Sequence, residues 1–373
     1  LSTSYHTLPE AFQTNGYTTG FIGKWHLTGY KYHDSPYEIR PTDHGFDTEV
    51  AGEVKGVGNG ANFWPYFFRD QPIRWLDIKE NKLGDDEYLV DRMNHEAIQF
   101  IEENQSKPFF LYLSHYATHS ILNGRPDKVG KYINKHPPGK SLRSNCYLCK
   151  DSGHEGDPLH HWAPNHNPHL AAMLESIDDG VQLITEKLEE LDLADDTIII
   201  FTSDNGGETQ VTTNTPLRGG KSQLYEGGIR IPMIVRWPGT IPAGTVLDNY
   251  TMNTDFFPTL VKACNLKIST NHQTDGANML PHWKNPSATG SARDLHWHYP
   301  LDSPHFLGGV SSGAIRSGNW KLIEFFETGK FELFNLQQDL GESKDVAENY
   351  PLVVQPLSSR LQQWRHQVGA RTA

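Results

Sequence analysis

Four short apolar runs limit most strongly what this chain can become: YTTGFIG (17–23), PFFLYLS (108–114), TIIIFTS (197–203) and IPMIVRW (231–237). Each reads as a strand. Between them the apolar period changes to that of a helix. Leu89, Val90, Met93, Ala97, Ile98 and Ile101 form one stripe; Leu170, Met173, Leu174, Ile177, Val181, Ile184 and Leu188 form another. Strands alternating with helices predict an α/β fold with a mostly parallel, doubly wound sheet flanked by helices. A further helix is expected before the first run, because Thr7 and Glu10 have capping-box spacing and Gly16 takes the C′ place. The chain starts there with neither an initiator Met nor a signal peptide, and is expected to be a fragment of something longer.

From about residue 292 the character changes. AIRSGNWKLIEFF and KFELFNL, followed by the amphipathic PLVVQPLSSRLQQW, predict a smaller C-terminal α+β subdomain. It should hold an antiparallel sheet near 310–335 and a closing helix. The expected domains are therefore 1–291 and 292–373.

In open α/β sheets, ligands gather beyond the carboxyl ends of the strands. GKWH (23–26), SHYATH (114–119) and SDNGGE (203–208) follow three of the four runs, so Lys24, His26, His115, His119, Asp204 and Asn205 are expected on one rim. Asp and Asn side by side in a turn offer hard oxygens to Ca²⁺ or Mg²⁺, though Asp204-Asn205-Gly206 also reads as an ordinary turn. Lys and His offer donors to an anionic oxygen. A divalent cation beside such groups points to transfer of a phosphoryl or sulfuryl group. In PLRGGKSQLYEGGIRIPMIVRWPG (216–239), Gly219, Gly220, Gly227 and Gly228 surround Lys221 and Glu226 and allow backbone close to a ligand.

The charge balance excludes other classes. Lys plus Arg number 33 against 45 Asp plus Glu, a formal net charge of −12, which is no surface for nucleic acid. No apolar stretch approaches the roughly 18 residues of a membrane-spanning helix. The 19 His, 9 Trp and 15 Tyr fit a saccharide better than a lipid.

GKWHLTG, RPTDHGFD (40–47), TSDNGGE and LRGGKSQLYEGGIRIPMIVRWPG together resemble the type I, formylglycine-dependent sulfatases of the alkaline phosphatase superfamily. The resemblance continues, in order, through TDFFPTLVKAC (254–264), DGANMLP (275–281), AIRSGNWKLIEFF (314–326) and ELFNLQQDLGE (332–342). It implies hydrolysis of a sulfate ester on a sulfated carbohydrate or an aryl sulfate. Lys24 and His26 would contact the sulfate and the nucleophile, and His119 in ATHS would face the ester and its leaving oxygen. Lys221 would bridge to a sulfate oxygen, and Asp204 and Asn205 would bind calcium, with magnesium the lesser alternative. His115, His298, Glu226 and Trp162 are the further residues expected against substrate. A phosphoric or phosphonic ester hydrolase of the same superfamily and a non-catalytic binder of sulfated glycans are the alternatives. Members of the family are mostly exported, so a periplasmic or secreted location is implied.

The resemblance also places a C/S-x-P/A-x-R motif, source of the formylglycine, and an aspartate pair for the metal upstream of Leu1. The 373-residue chain alone is accordingly expected to be inactive and to bind calcium weakly. The match at Ser312–Arg316 falls in the C-terminal strand region and is set aside as structural. Cys146 and Cys149, with His154, His160, His161 and His166 nearby, could bind zinc, form a disulfide or remain free thiols, while Cys264 reads as core. The segment 131–166, with Trp162, is expected to wall the substrate cleft. HWHYP (296–300) resembles a turn of carbohydrate-acting members and offers His298 either to that cleft or to aromatic packing.

Overall fold

In the computed structural model the described residues are 2–27, 38–52, 62–68, 71–72, 77–119, 122–135, 166–269, 272–288 and 293–371. In chain order their elements are α1 (Leu8–Gln13), β1 (Thr18–Gly23), β2 (Thr48–Val50), β3 (Phe67–Phe68), β4 (Gln71–Pro72), α2 (Leu89–Glu103), β5 (Phe109–Ser114), α3 (Pro126–Lys135) and α4 (Pro168–Glu190). Then come β6 (Ile199–Thr202), α5 (Glu226–Ile229), β7 (Met233–Arg236), α6 (Phe256–Ala263), α7 (Leu280–Lys284), β8 (Asp294–Tyr299), β9 (Ser312–Ser317), β10 (Trp320–Phe325), β11 (Lys330–Asn335) and α8 (Pro351–Gln367).

These elements form two compact units. The first comprises Leu1–Trp162, Pro168–Ile199 and Arg236–Ala288. Its sheet has the order β2-β1-β5, all parallel, and β1 is buried along nearly its whole length because it lies in the middle. A strand with no solvent-facing side does not alternate polar with apolar, and the one buried hydroxyl in it, Thr19, donates to the Gly45 carbonyl at 2.7 Å. α2 covers the sheet with Leu89, Met93, Ala97 and Phe100, packed with Ile22 and Tyr116 in one core. Its predicted stripe is therefore its buried face.

The stripe read for α4 is displaced. Leu174 is half exposed, and the buried face runs instead through Ala172, Met173, Ser176, Gly180 and Leu188. The reason is close approach: a Cβ at Gly180 would collide with the Asn94 amide, and that amide donates to the Ser176 carbonyl at 3.2 Å. Small residues let helix backbones meet, and they carry no apolar signal.

The second unit comprises Ala163–Asn167, Ile200–Val235 and Thr289–Ala373. Its antiparallel sheet, in the order β11-β10-β9-β8, extends the expected region back to Asp294. Both faces are buried, by strand alternation. Ile315, Leu322 and Leu333 pack under Leu357 and Leu361 of α8, the expected closing helix. Ala314, Ile323 and Phe334 of the other face pack with Leu224 and Tyr225.

This second face explains why the structural division departs from 291/292. Lys321, 0% exposed, lies 2.9 Å from Glu226 Oε1 and 2.8 Å from Glu342 Oε1, and the Glu226 amide donates to Glu342 Oε2 at 2.6 Å. Residues 200–235 thus belong with the C-terminal sheet. A second correction follows for the strands. β6 pairs with β7 in a sheet of its own, whereas β1 and β5 share another. The three strand ends expected on one rim are therefore not aligned by a common hydrogen-bonded ladder.

Candidate functional site

In the first unit, parallel pairing runs from Thr18↔Phe109 to Gly23↔Ser114, so β1 and β5 stop level. Lys24 and His115 are the next residues on each. Gly23 makes the exit possible: its φ is +106°, and a Cβ there would strike the Ser114 carbonyl, which accepts the Lys24 amide at 2.7 Å. Only glycine combines that dihedral with that approach.

Trp25 secures the turn. Its indole N–H donates to the Ile39 carbonyl at 2.8 Å, and its ring meets Phe21 edge-on at 5.3 Å. Lys24 is half-buried and His26 exposed. His26 has φ +51°, a left-handed conformation that costs a non-glycine residue about 1–2 kcal/mol. Such strain persists where the surroundings impose it and tends to occur at functional positions.

Beyond β5, the buried Tyr116 donates its hydroxyl to the Ala51 carbonyl at 2.7 Å, and its own carbonyl accepts the His119 amide at 3.0 Å. This turn holds His119, half-buried, on a fixed backbone. His115 is also half-buried, and its Nδ1 is buried with no partner among the described residues. Burial pushes its pKa down to about 4. At neutral pH His115 is therefore an uncharged imidazole and cannot act as a cationic clamp.

In the second unit, the loop after β6 is organised by a residue that sequence reasoning missed. Asn214 Nδ2 donates to the carbonyls of Gly207 (2.9 Å) and Gly219 (3.0 Å), while its Oδ1 accepts the Gly207 amide at 3.0 Å. A carboxamide between two glycine pairs was the available signal, since it offers two N–H donors and an acceptor oxygen on one short side chain. Glycines complete the packing: the Gly206 amide reaches the Gly228 carbonyl at 2.9 Å, and the Lys221 amide reaches the Gly207 carbonyl at 3.1 Å. These glycines serve backbone-to-backbone contact within the loop. The half-buried Lys221 ammonium has no hydrogen-bond or ion-pair partner among the described residues.

Asp204 is exposed, and Asn205 Nδ2 donates to the Gly206 carbonyl at 2.7 Å, which leaves its Oδ1 as an acceptor. Two adjacent hard oxygens suit calcium in kind. They are two donors where calcium takes about six to eight, and no group of three or more His, Cys, Asp or Glu among the described residues is placed to hold a metal.

The remaining candidates have other commitments. Glu226, expected against substrate, is 2% exposed and paired with Lys321, with Arg316 at 3.6 Å and Arg230 at 3.8 Å, so it acts as a buried structural anion. His298 lies on β8, where Nε2 bonds the Arg371 carbonyl at 2.6 Å and the ring packs on Phe326 at 5.3 Å. That is the aromatic-packing alternative. The Ser312 hydroxyl, buried in β9, donates to the Val310 carbonyl at 2.9 Å, a structural role as expected. Cys264 is half-buried, and burial pushes its thiol pKa up. Trp162, Cys146, Cys149, His154, His160 and His161 lie outside the described residues.

Residues 1–266 match the sulfatase family model. The chain belongs to the sulfatase family. A second model, the C-terminal region of N-sulphoglucosamine sulphohydrolase, matches residues 220–367 of this sulfatase. It is 26% identical to the uncharacterised sulfatase YdeN of Escherichia coli over 96% of the chain and 66% of that protein. It is 27% identical to arylsulfatase J of Mus musculus over 96% of the chain and 62% of that protein. The chain thus spans less than two thirds of arylsulfatase J and about two thirds of YdeN. Among solved structures, Ps i-CgsB in complex with k-i-k-neocarrahexaose superimposes with TM-score 0.74 at 25% identity, over 97% of this chain and 74% of that one. No helix among the described residues is long and apolar enough to cross a membrane.

Proposed function

We propose that this chain carries the sulfate-binding residues of a sulfuric ester hydrolase acting on a sulfated saccharide. The observation that carries the reading is the sulfatase match over residues 1–266, in which Lys24 and His26 leave β1 level with the end of β5. In this reading the Lys24 ammonium and the imidazoles of His26 and His119 donate to sulfate oxygens, His119 towards the leaving oxygen; in the second unit, Lys221 is the ammonium that the family resemblance assigns to sulfate. His115, neutral at pH 7, lines the same region without adding charge. A saccharide substrate is favoured by the model named for a sulphoglucosamine enzyme over residues 220–367 and by the oligosaccharide bound to the solved relative.

Two components of the reaction extend beyond these residues. The nucleophile is a formylglycine, whose covalent chemistry divides a difficult displacement at sulfur into two easier steps. Ser312 is not its source, being buried and hydrogen-bonded in β9. Asp204 and Asn205 would supply two of the oxygen ligands of a calcium ion, which would add charge neutralisation for the sulfate. Export to the periplasm or the cell exterior accompanies the reading.

A rate comparison tests it. The protein carrying this chain should hydrolyse an aryl sulfate faster than the matching aryl phosphate, and His119→Ala should lower kcat about 100-fold or more with an unchanged melting temperature. The 373-residue chain by itself should bind sulfate weakly and turn nothing over. A preference for phosphate would overturn the assignment. Turnover by the chain alone that vanishes on Ser312→Ala would overturn the placing of the nucleophile.

A further inference from the structure

The second unit displays an aromatic pair beside the Lys221 loop. Phe306 is 67% exposed, and its ring stacks on His305 at 4.5 Å and 30°. A lone exposed phenyl would need no explanation. This one stands on a turn that is tightly closed. The His305 amide donates to the Gly309 carbonyl and the Gly308 amide to the His305 carbonyl, both at 2.8 Å, with Gly308 at φ +92°. Leu307, 8% exposed, anchors the turn from below.

The same turn is joined to the residues that follow Lys221. Gln223 Nε2 donates to the Leu307 carbonyl at 3.4 Å, and Gly309 lies so close to Ser222 that a Cβ would strike its carbonyl. Ser222 itself takes φ +73°. His305 has a set tautomer: its Nδ1 accepts the Leu307 amide at 3.2 Å, so the neutral ring carries its proton on Nε2 as a donor. The turn thus presents an aromatic face, an N–H donor and a rigid link to a lysine.

We propose that Phe306, backed by His305, is a saccharide-stacking subsite that receives the apolar C–H face of a sugar ring, with His305 Nε2–H donating to a ring hydroxyl or sulfate oxygen. A flat, rigid aromatic gives contact area at little entropic cost, and sugar rings offer hydrogens on one face and hydroxyls at the edge. Phe306 is a specificity residue in this scheme: it selects a saccharide over a simple sulfate ester. The inference rests on the functional reading above, in which Lys221 engages sulfate.

Calorimetry with two probes, inorganic sulfate and k-i-k-neocarrahexaose, separates the two ideas. Phe306→Ala should weaken hexasaccharide binding about five- to tenfold and leave the sulfate Kd unchanged. Phe306→Trp should restore saccharide affinity, which a loss of fold would not allow. If wild type and Phe306→Ala bind the hexasaccharide equally while Lys221→Ala weakens both probes, the stacking subsite is wrong and the sulfatase reading stands. If wild type binds neither probe, both fall together.

Discussion

His115 shows how one side chain ties stability to pH. Its imidazole is held neutral in the folded protein, with a pKa of about 4 against roughly 6.5 in the unfolded chain. Below about pH 6.5 the unfolded chain takes up a proton that the folded chain refuses, so stability falls with acidification and levels off below about pH 4. The full difference amounts to about 3 kcal/mol. Urea midpoints recorded from pH 7 to pH 4 should decline less for His115→Asn than for the wild type; parallel curves would contradict the burial argument. At this scale the sequence was only partly legible. Lys24 and His26 stand out by their chemistry on a glycine-flanked turn, while Trp25 between them is a packing residue. Nothing in a linear string distinguishes an indole that bonds Ile39 from one that awaits a ligand.

At the scale of elements, the strands were legible and the charge pairs were not. β1 is a largely apolar run because it is buried on both faces, whereas β5, at the sheet edge, is read from its aromatic and apolar residues although Tyr112 is exposed. α4 misled because its contact face is built from Ala172, Ser176 and Gly180, which no hydrophobic period reports. Glu226 misled for another reason: its partners Lys321 and Glu342 lie 95 and 116 residues away, beyond any local pattern. Their arrangement has an energetic consequence. Two carboxylates, 2% and 0% exposed, share one ammonium, and burial already pushes the Glu342 pKa up. Lys321→Met should cost about 3–5 kcal/mol by leaving Glu342 buried without its cation and Glu226 with only its longer contacts to Arg316 and Arg230. Adding Glu342→Gln should recover part of the loss, a double-mutant comparison readable in thermal melts. A Lys321→Met protein as stable as the wild type would show that the ammonium is not what holds α5 to the sheet.

For the whole molecule, the informative division is not the one drawn along the chain. A change in composition marked the start of the C-terminal subdomain near 292, yet the second unit also takes in 200–235, because its sheet is apolar on both faces and needs a cover on each. Composition along a sequence cannot register a segment recruited from elsewhere. Hydrogen exchange should reveal the true partition: amides in 206–228 should become exchangeable together with those of β9 and β10, and independently of β1 and β5. Exchange of 206–228 in step with β1 would refute the division.

The link from Glu226 to Glu342 also sets a timetable for synthesis. The carboxylate that receives the Glu226 amide is encoded 116 residues later. At about 5–20 residues per second, the nascent loop bearing Lys221 waits on the order of ten seconds for the partner that fixes it. During that interval its glycine-rich backbone and the apolar side chains of Leu224 and Tyr225 have no sheet to rest on. The ribosome thus completes the glycine-rich loop well before it delivers the floor beneath it.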